Sequence, residues 1–214
     1  MKHPEECLRS SYDTIAGAYV DHLYDELTRK PLDRHLLNRF AEEVRGKGMV
    51  LDVGCGPGHV ARYLHEQGVQ VCGVDLSPEM IRHASRLNPQ IDFSTGDMRS
   101  LDFSDGSFAG IVAFYSIIHL ETDELGAALM ELRRVLAEGG VLLLAFHVGD
   151  HVMHLDEMWD RAVSLDFHFL DPEKIVALLD VSGFAVTEWI EREPYEGSEH
   201  PSRRCYLLAR RPEK

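Results

Sequence analysis

The chain has 214 residues, of which 44% are hydrophobic and 27% are charged, a composition that suits one globular α/β domain. Its formal net charge of −14 disfavours a nucleic-acid partner, because phosphate recognition needs a basic face. No apolar run approaches the roughly 20 residues that span a bilayer, and no signal peptide precedes the first helix, so we expect a cytoplasmic protein without membrane contact. A monomer and a homodimer both remain open.

Helical and strand patterns alternate along the chain. Residues 1–45 are predicted to form an N-terminal helical arm or cap, because apolar residues recur at helical spacing before Gly46 and Gly48. Residues 46–214 are predicted to form the main domain. Further helices should begin near Gly58, at Ser77-Pro78, at Asp123 and at Asp171-Pro172. Seven strands are predicted, at 49–53, 69–74, 91–95, 108–114, 141–146, 184–190 and 205–209.

This alternation predicts a Rossmann-like α/β fold, with a mostly parallel sheet and helices on both faces. The strands at 108–114 and 141–146 are apolar throughout, as expected for strands buried on both faces. The last two strands have no helix between them, so they should form an antiparallel hairpin at the end of the sheet. Residues 148–170 are predicted to be an insert after the fifth strand.

A glycine-rich turn follows the first strand. Its sequence is Asp52-Val53-Gly54-Cys55-Gly56-Pro57-Gly58, and its glycines allow a sharp turn and a close approach of a ligand to the backbone. The spacing is G-x-G-x-G, whereas dinucleotide sites prefer G-x-G-x-x-G, and this difference disfavours NAD and FAD. The phosphate-binding loop of ATP enzymes is also absent from the sequence.

Two acidic residues follow the next strands. Asp75 ends the second strand, where its carboxylate can accept hydrogen bonds from both hydroxyls of a ribose or, alternatively, only help to cap the helix at Ser77. Asp97 follows the third strand and can accept a hydrogen bond from an adenine amino group, with Met98 packed on the ring. The alternative for Asp97 is an ordinary turn residue. Ligands of open parallel sheets bind at these strand ends.

These motifs, in this order, resemble those of class I S-adenosylmethionine-dependent methyltransferases, in particular the small bacterial type 11 and type 25 groups. The resemblance implies a strand order of 3-2-1-4-5-7-6 and S-adenosylmethionine as cofactor. It implies that Asp52, Gly54 and Gly56 hold the methionine end. Asp75 would hold the ribose, Leu76 would lie beside the adenine, and Ser116 would lie near the sulfonium. The complete set of expected cofactor contacts is Tyr12, Tyr19, Asp52, Gly54, Cys55, Gly56, Asp75, Leu76, Met80, Asp97, Met98 and Ser116.

Tyr12 and Tyr19 belong to a segment that resembles this family's N-terminal arm, where aromatic residues close over the cofactor. Packing between helices is the alternative interpretation. His119, just after the fourth strand, is the candidate general base, because a histidine can accept a proton near neutral pH. A histidine that contacts only backbone at a helix start is the alternative. The candidate substrate contacts are Tyr115, His147, His151, Tyr195, Glu199, His200 and Arg203.

Three histidines, His147, His151 and His154, would share one face if this stretch were helical, and they could then bind a metal. Gly149 weakens such a helix, so the preferred interpretation is a polar rim of the substrate pocket and no metal. Arg203 could bind a carboxylate or pair with Glu199.

The sequence therefore predicts methyl transfer to a small molecule, at oxygen, nitrogen or carbon. The alternative is a protein that binds the cofactor without methylating, such as a sensor, a regulatory subunit or an enzyme using the sulfonium charge in another reaction. A nicotinamide-dependent oxidoreductase is disfavoured by the missing third glycine.

Overall fold

A computed structural model describes residues 4–213 of the chain. Six α-helices are present in this range: α1 (Pro4–Leu23), α2 (Pro31–Val44), α3 (His59–Glu66), α4 (Pro78–Leu87), α5 (Thr122–Val135) and α6 (Pro172–Val181). Short 3-10 helices lie at Glu26–Arg29 and Ile117–His119. The strands are β1 (Met49–Val53), β2 (Val71–Asp75), β3 (Asp92–Thr95), β4 (Phe108–Phe114), β5 (Leu136–His147), β6 (Val152–Met158), β7 (Arg161–His168), β8 (Ala185–Arg192) and β9 (Arg204–Arg210).

Seven strands form the main sheet, in the order β3-β2-β1-β4-β5-β9-β8. Strands β1 to β5 pair in parallel, and β9 pairs antiparallel with both β5 and β8. Counted among the strands of this sheet alone, the order is 3-2-1-4-5-7-6, as the family resemblance implies. The predicted fold class and the terminal antiparallel hairpin are therefore confirmed.

The sheet is buried on both faces. Side chains of one face, including Leu51 and Ile111, pack with α5 and α6, while Val50 and Val112 face the other way and pack with α2 and α3. This alternation follows from the two-residue period of a strand. Both faces are covered because parallel strands need helical crossovers, which bury each side of the sheet.

Two segments differ from the predicted elements. Helix α5 ends at Val135 and β5 begins at the next residue, so this strand starts five residues before the predicted one. The insert at 148–170 forms an antiparallel ribbon of β6 and β7, joined by a turn in which Trp159 and Asp160 have φ of 52° and 59°. Positive φ at both central residues matches the twist of paired strands.

The helical arrangement considered for His147, His151 and His154 is wrong, because this stretch leads into the ribbon. His147 ends β5, His151 lies before β6 and His154 lies on that strand, so the three residues do not share a helical face.

The N-terminal helices have different positions. Helix α2 belongs to the sheet layers, because Leu37, Phe40 and Val44 are fully buried against sheet residues. Helix α1 instead lies between α4 and the ribbon strand β7. Within residues 4–213, no helix has both the length and the apolarity required to cross a bilayer.

Candidate active site

A cavity of about 710 Å³ opens at the carboxyl ends of β1, β2, β3 and β4, under α1 and the β6–β7 ribbon. Its volume falls in the range of roughly 300–1,000 Å³ that is typical of small-molecule sites. Sixteen of the predicted site residues line it: Tyr12, Tyr19, Asp52, Gly54, Cys55, Gly56, Asp75, Leu76, Asp97, Met98, Tyr115, Ser116, His119, His147, Glu199 and His200.

Four predicted site residues do not line this cavity. Met80 is 1% exposed in the core beneath α4. His151 is exposed outside the cavity, where its ring stacks on Phe169 with a centroid distance of 4.3 Å. These two positions follow from packing: an apolar side chain in the first turn of α4 faces the core, and the chain turns outward before β6.

Tyr195 and Arg203 make structural contacts in the hairpin connection. The Tyr195 hydroxyl accepts a hydrogen bond from the Leu32 N–H at 3.1 Å, which ties the connection to α2. Arg203 is exposed and pairs with Glu191 and Glu193. These two partners take the place of Glu199, which the sequence offered as an alternative partner of Arg203.

The glycine-rich turn after β1 allows close packing against the end of β4. Gly54 has a φ of 69°, and a Cβ atom there would lie 2.3 Å from the Cβ atom of Ser116. Gly56 has a φ of 53°, and a Cβ atom there would meet only Tyr19, at 3.9 Å. The Ser116 hydroxyl is buried and has no hydrogen-bond partner in the described part of the chain. The turn thus leaves space for a ligand next to the backbone of Gly56, and the nearby Ser116 hydroxyl has no partner among residues 4–213.

Asp75 holds this turn together. Its Oδ2 accepts from the Gly56 N–H at 2.8 Å, and its Oδ1 accepts from the Ser77 N–H at 2.9 Å. Burial raises the pKa of Asp75 to about 6. A carboxylate offers about four lone-pair directions, so two remain after these bonds. The helix-start contact considered from the sequence is present, and the carboxylate keeps capacity for a ligand.

Asp52 ties β1 to α3. Its Oδ2 accepts from the Ala61 N–H at 3.0 Å, and the residue is 2% exposed. Burial raises the pKa of Asp52 to about 7. The neighbouring Cys55 is also 2% exposed, and burial raises the pKa of its thiol. Cys55 therefore stays a protonated thiol at neutral pH.

The carboxylate of Asp97 is hydrogen-bonded to a neighbouring arginine. Its two carboxylate oxygens accept from Nε of Arg99 at 3.0 Å each, and Oδ2 also accepts from Nη2 at 2.5 Å. The same guanidinium pairs with Glu5 of α1 at 2.7 Å and with Glu124 of α5. Burial opposes ionisation of Asp97, but the hydrogen bonds from Arg99 dominate and lower its pKa. An adenine amino group would compete with Arg99 for this carboxylate.

Helix α1 is fastened over the cavity from both sides. Asp13 accepts from the Ser77 hydroxyl at 2.6 Å, which joins α1 to the start of α4. Ser11 exchanges two hydrogen bonds with the backbone of Ser164 on β7, at 2.9 and 3.2 Å. Tyr19 meets the ribbon turn, with its ring edge-on to Trp159 at 5.9 Å.

His119 lies under this helix. Its Nδ1 is 2.9 Å from the carbonyl oxygen of Asp166, which can only accept, so Nδ1 carries the proton. Nε2 is then the acceptor for the Tyr12 hydroxyl, at 2.6 Å. Burial lowers the pKa of His119 to about 4, so the imidazole is neutral at pH 7. The ring also lies edge-on to Phe167, with a centroid distance of 4.9 Å.

One part of the cavity, which we call its charged end, contains charged residues that the sequence analysis missed. Lys30 and Arg204 line it, and they are 8% and 3% exposed. The carboxylate of Glu199 lies 3.6 Å from Nζ of Lys30 and 3.5 Å from Nε of Arg204. The sequence did contain a signal for Arg204: it is a charged residue at the start of the apolar strand β9, where a strand end can face a site.

Tyr115 turns towards these charges. It has a φ of 53°, a left-handed conformation that costs a non-glycine residue of order 1–3 kcal/mol. Its ring lies 5.2 Å from Nζ of Lys30, and its hydroxyl is 3.1 Å from that of Tyr206. The left-handed backbone therefore accompanies a partly buried aromatic ring that lines the cavity beside the charged end.

A second missed cluster lies beside the glycine-rich turn. Glu26 pairs with Lys30 at 2.7 Å and with His59 at 3.3 Å. Burial alone would raise the pKa of Glu26, but these two partners hold it at about 2. Among residues 4–213, no group of three or more histidine, cysteine, aspartate or glutamate side chains is arranged to hold a metal ion.

Comparison with protein families identifies part of the chain. Residues 50–140 match the model of a methyltransferase domain. Malonyl-[acyl-carrier protein] O-methyltransferase of Enterobacter lignolyticus (strain SCF1) is 29% identical over 178 residues, which cover 82% of this chain and 68% of that protein. The chain spans 43 to 68% of the length of this and four further methyltransferases of the same name.

Solved structures share the fold. The chain of the DhpI–SAH complex superposes with a TM-score of 0.76 at 20% identity, and the match covers 100% of both chains. The cyclase SpnF superposes with a TM-score of 0.67 at 21% identity, covering 85% of this chain and 82% of its own. The region at 50–140 that contains the glycine-rich turn therefore matches a methyltransferase domain, and the chain shares its fold with these solved structures.

Proposed function

We propose that this protein transfers a methyl group from S-adenosylmethionine to a small molecule bound in the same cavity. One observation carries the proposal: the ends of β1, β2, β3 and β4 bring the glycine-rich turn, Asp75, Asp97 and Ser116 onto one cavity of about 710 Å³. Ligands of open α/β sheets bind at this edge. The family match supports the choice of cofactor.

The residues present fit this cofactor. Gly56 leaves room for a ligand against the backbone, the Ser116 hydroxyl lacks a partner within residues 4–213, and Asp75 keeps two lone-pair directions for ribose hydroxyls. Asp97 fits less well, because Arg99 already engages both of its oxygens. When bound, the cofactor supplies a methyl group activated by the positive sulfonium.

The protein's contribution is to position the acceptor and exclude water. Helix α1 and the ribbon cover the cavity, and Asp13, Ser11 and Tyr19 fasten them to each other and to α4. Holding two reactants in line removes the entropic cost of their encounter, which in well-oriented systems lowers the barrier by about 7–11 kcal/mol. We propose that α1 is the arm over the site and that the remainder forms the domain.

His119 is proposed to hydrogen-bond and orient rather than act as a strong base. Because its pKa is about 4, its neutral Nε2 is a weak proton acceptor at pH 7. Nε2 accepts a hydrogen bond from the Tyr12 hydroxyl, and this bond fixes the position of the tyrosine at the cavity wall. Such a site suits acceptors that are already nucleophilic without losing a proton.

The test is transfer of a labelled methyl group from S-adenosylmethionine to a panel of small carboxylates, phenols and amines. The proposal expects a labelled product and S-adenosylhomocysteine in equal amounts. Binding of S-adenosylhomocysteine without transfer to any acceptor would instead favour the second candidate, a cofactor-binding protein with another activity. This second candidate is supported by the similarity in fold to the cyclase SpnF. A cytoplasmic location stays a prediction from the sequence.

A further inference from the structure

We propose that the charged end of the cavity is a binding site for an oxyanion, a carboxylate or a phosphorus oxyanion, carried by the methyl acceptor. The site consists of Lys30, His147, His200 and Arg204, which all line the cavity. This inference rests on the proposed function for the identity of the ligand as methyl acceptor, but the anion site itself can be tested separately.

Lys30 has donor capacity to spare. An ammonium group has three N–H donors. In the described structure, its Nζ makes one hydrogen bond, to Glu26 at 2.7 Å, and lies 3.6 Å from Glu199, beyond hydrogen-bond distance. The residue is 8% exposed, so bulk water does not freely satisfy the remaining donors. A buried charge with unused donors needs an acceptor, and the cavity is where one can enter.

Arg204 is unsatisfied in the same way. Its Nη1 donates to the carbonyls of His200 and Ser202 and to the Ser202 hydroxyl. Its Nε is buried, makes no hydrogen bond among residues 4–213 and lies 3.5 Å from Oε2 of Glu199, while the hydrogen bonds of the guanidinium in that range all come from Nη1. Guanidinium groups bind carboxylate and phosphate through two nitrogens, and the Nε and Nη2 edge is the one that makes no hydrogen bond, with Glu199 at ion-pair distance from Nε.

The two histidines can each add one donor, because a neutral imidazole carries one N–H and one acceptor nitrogen. Nδ1 of His147 is 2.9 Å from the Ser202 hydroxyl, while its Nε2 has no hydrogen bond to any residue in 4–213. The ring nitrogens of His200 have none there either, and the two rings lie 6.2 Å apart between centroids. Burial lowers the pKa of both histidines, and the charge of Arg204 lowers them further.

The nearby acid, Glu199, lies at ion-pair distance from Lys30 and Arg204 but makes its hydrogen bonds to other groups. Glu199 accepts from Nη1 and Nη2 of Arg192 at 2.6 and 2.9 Å, and from the Tyr195 N–H at 2.7 Å. Its strongest bonds therefore point away from the cavity, towards Arg192 and the backbone. Lys30 and Arg204 therefore keep N–H donors without hydrogen bonds at this end of the cavity, and an oxyanion supplies acceptors for them.

Aromatic rings surround the proposed site. The His147 ring lies 5.1 Å from that of Tyr115 and 5.4 Å from that of Phe169. A ligand with an apolar or planar body and an anionic end would place the body on these rings and the charge on Lys30 and Arg204.

The experiment titrates benzoate and phenylphosphonate into the full-length protein by calorimetry, with and without saturating S-adenosylhomocysteine. Benzamide is the neutral probe of matched shape. We expect benzoate or phenylphosphonate to bind at least tenfold more tightly than benzamide, and the tighter of the two identifies the carboxylate or the phosphorus source. Equal affinity for benzamide and both anions would overturn the proposal.

Matched variants locate the site. Arg204→Gln should weaken anion binding at least tenfold, whereas Arg203→Gln, which changes an exposed neighbouring arginine, should leave it unchanged. His147→Gln should also weaken it, with His151→Gln as control, and this pair decides the question if Arg204→Gln does not fold. Equal anion affinity in all folded variants would contradict the site.

The two proposals fail in different ways. If S-adenosylhomocysteine does not bind but anion binding depends on Arg204 and His147, the cofactor assignment fails and the anion site stands. If S-adenosylhomocysteine binds and the anions do not, the anion site fails alone.

Discussion

Tyr12 and His119 are hydrogen-bonded across the cavity, with 2.6 Å between the tyrosine hydroxyl and Nε2. They come from α1 and from the short helix after β4, so this bond links the covering arm to the sheet edge. Since Nδ1 of His119 donates to Asp166 on β7, one imidazole connects arm, sheet edge and ribbon.

We predict that His119→Gln slows turnover by less than about tenfold, because a histidine with a pKa near 4 is a weak base and a full general base contributes about 10²–10⁴. Affinity for S-adenosylhomocysteine should stay near that of the unmodified protein. Steady-state kinetics with an accepted substrate measure this effect. A loss of a hundredfold or more with normal affinity would establish His119 as the base.

Replacing Asp75 should weaken cofactor binding. Asp75→Ala removes the proposed charged hydrogen bonds to the ribose, each worth about 1.5–3 kcal/mol, and also leaves the Gly56 N–H without its partner. Calorimetry with S-adenosylhomocysteine gives the change directly. The control is Asp92→Ala, which removes an exposed carboxylate from the neighbouring strand. Unchanged affinity in a folded Asp75→Ala protein would remove Asp75 from the ribose site.

Gly54→Ala should damage both folding and binding. The new Cβ atom would lie 2.3 Å from that of Ser116, and φ at this position is 69°, so we expect a loss of about 1–3 kcal/mol or more in unfolding free energy. Gly126→Ala is the matched control, since nothing lies within 4 Å of a Cβ atom there and alanine favours the helix interior by about 0.5–1 kcal/mol. Urea denaturation of both variants tests the contrast, and equal stability would show that the turn repacks without cost.

Stability should depend on pH through two buried histidines. Burial lowers the pKa of His119 to about 4 and of His147 to about 3, from 6.5. Below pH 6.5 the unfolded chain therefore binds more protons than the folded one, and these groups reduce the unfolding free energy as pH falls towards 4. Asp52 and Asp75 act in the opposite direction, because their raised pKa values favour proton uptake by the folded state.

The histidine contribution is isolated by comparing unfolding free energies at pH 7.5 and 5. The double variant His119→Gln/His147→Gln should lose less stability over this interval than the unmodified protein. His65→Gln, a change on the outer part of α3, serves as control. An identical pH dependence in the double variant would show that neither histidine is protonated preferentially on unfolding.

The sheet and the cofactor edge were predictable because their signals are local. Alternating apolar strands, the Gly54–Gly56 turn and the acids at the strand ends each occupy a few consecutive residues, and parallel topology places those ends together. The ribbon was predicted only as an insert, since short strands such as β6 carry mixed polar and apolar residues that resemble a loop.

The charged end of the cavity was not predictable in this way. Lys30, Glu199 and Arg204 come from distant segments, and their charges resemble solvated surface residues until the fold buries them. The Arg99 contact with Asp97 was missed for a different reason: i to i+2 pairing depends on a turn conformation that residue identity alone does not specify.

The most direct test of the central claim is calorimetric titration of the folded protein with S-adenosylmethionine and S-adenosylhomocysteine, with NAD as control. The account predicts micromolar binding of both sulfur compounds and none of NAD. A folded protein that binds neither, or that binds NAD instead, would contradict the assignment of this cavity to S-adenosylmethionine.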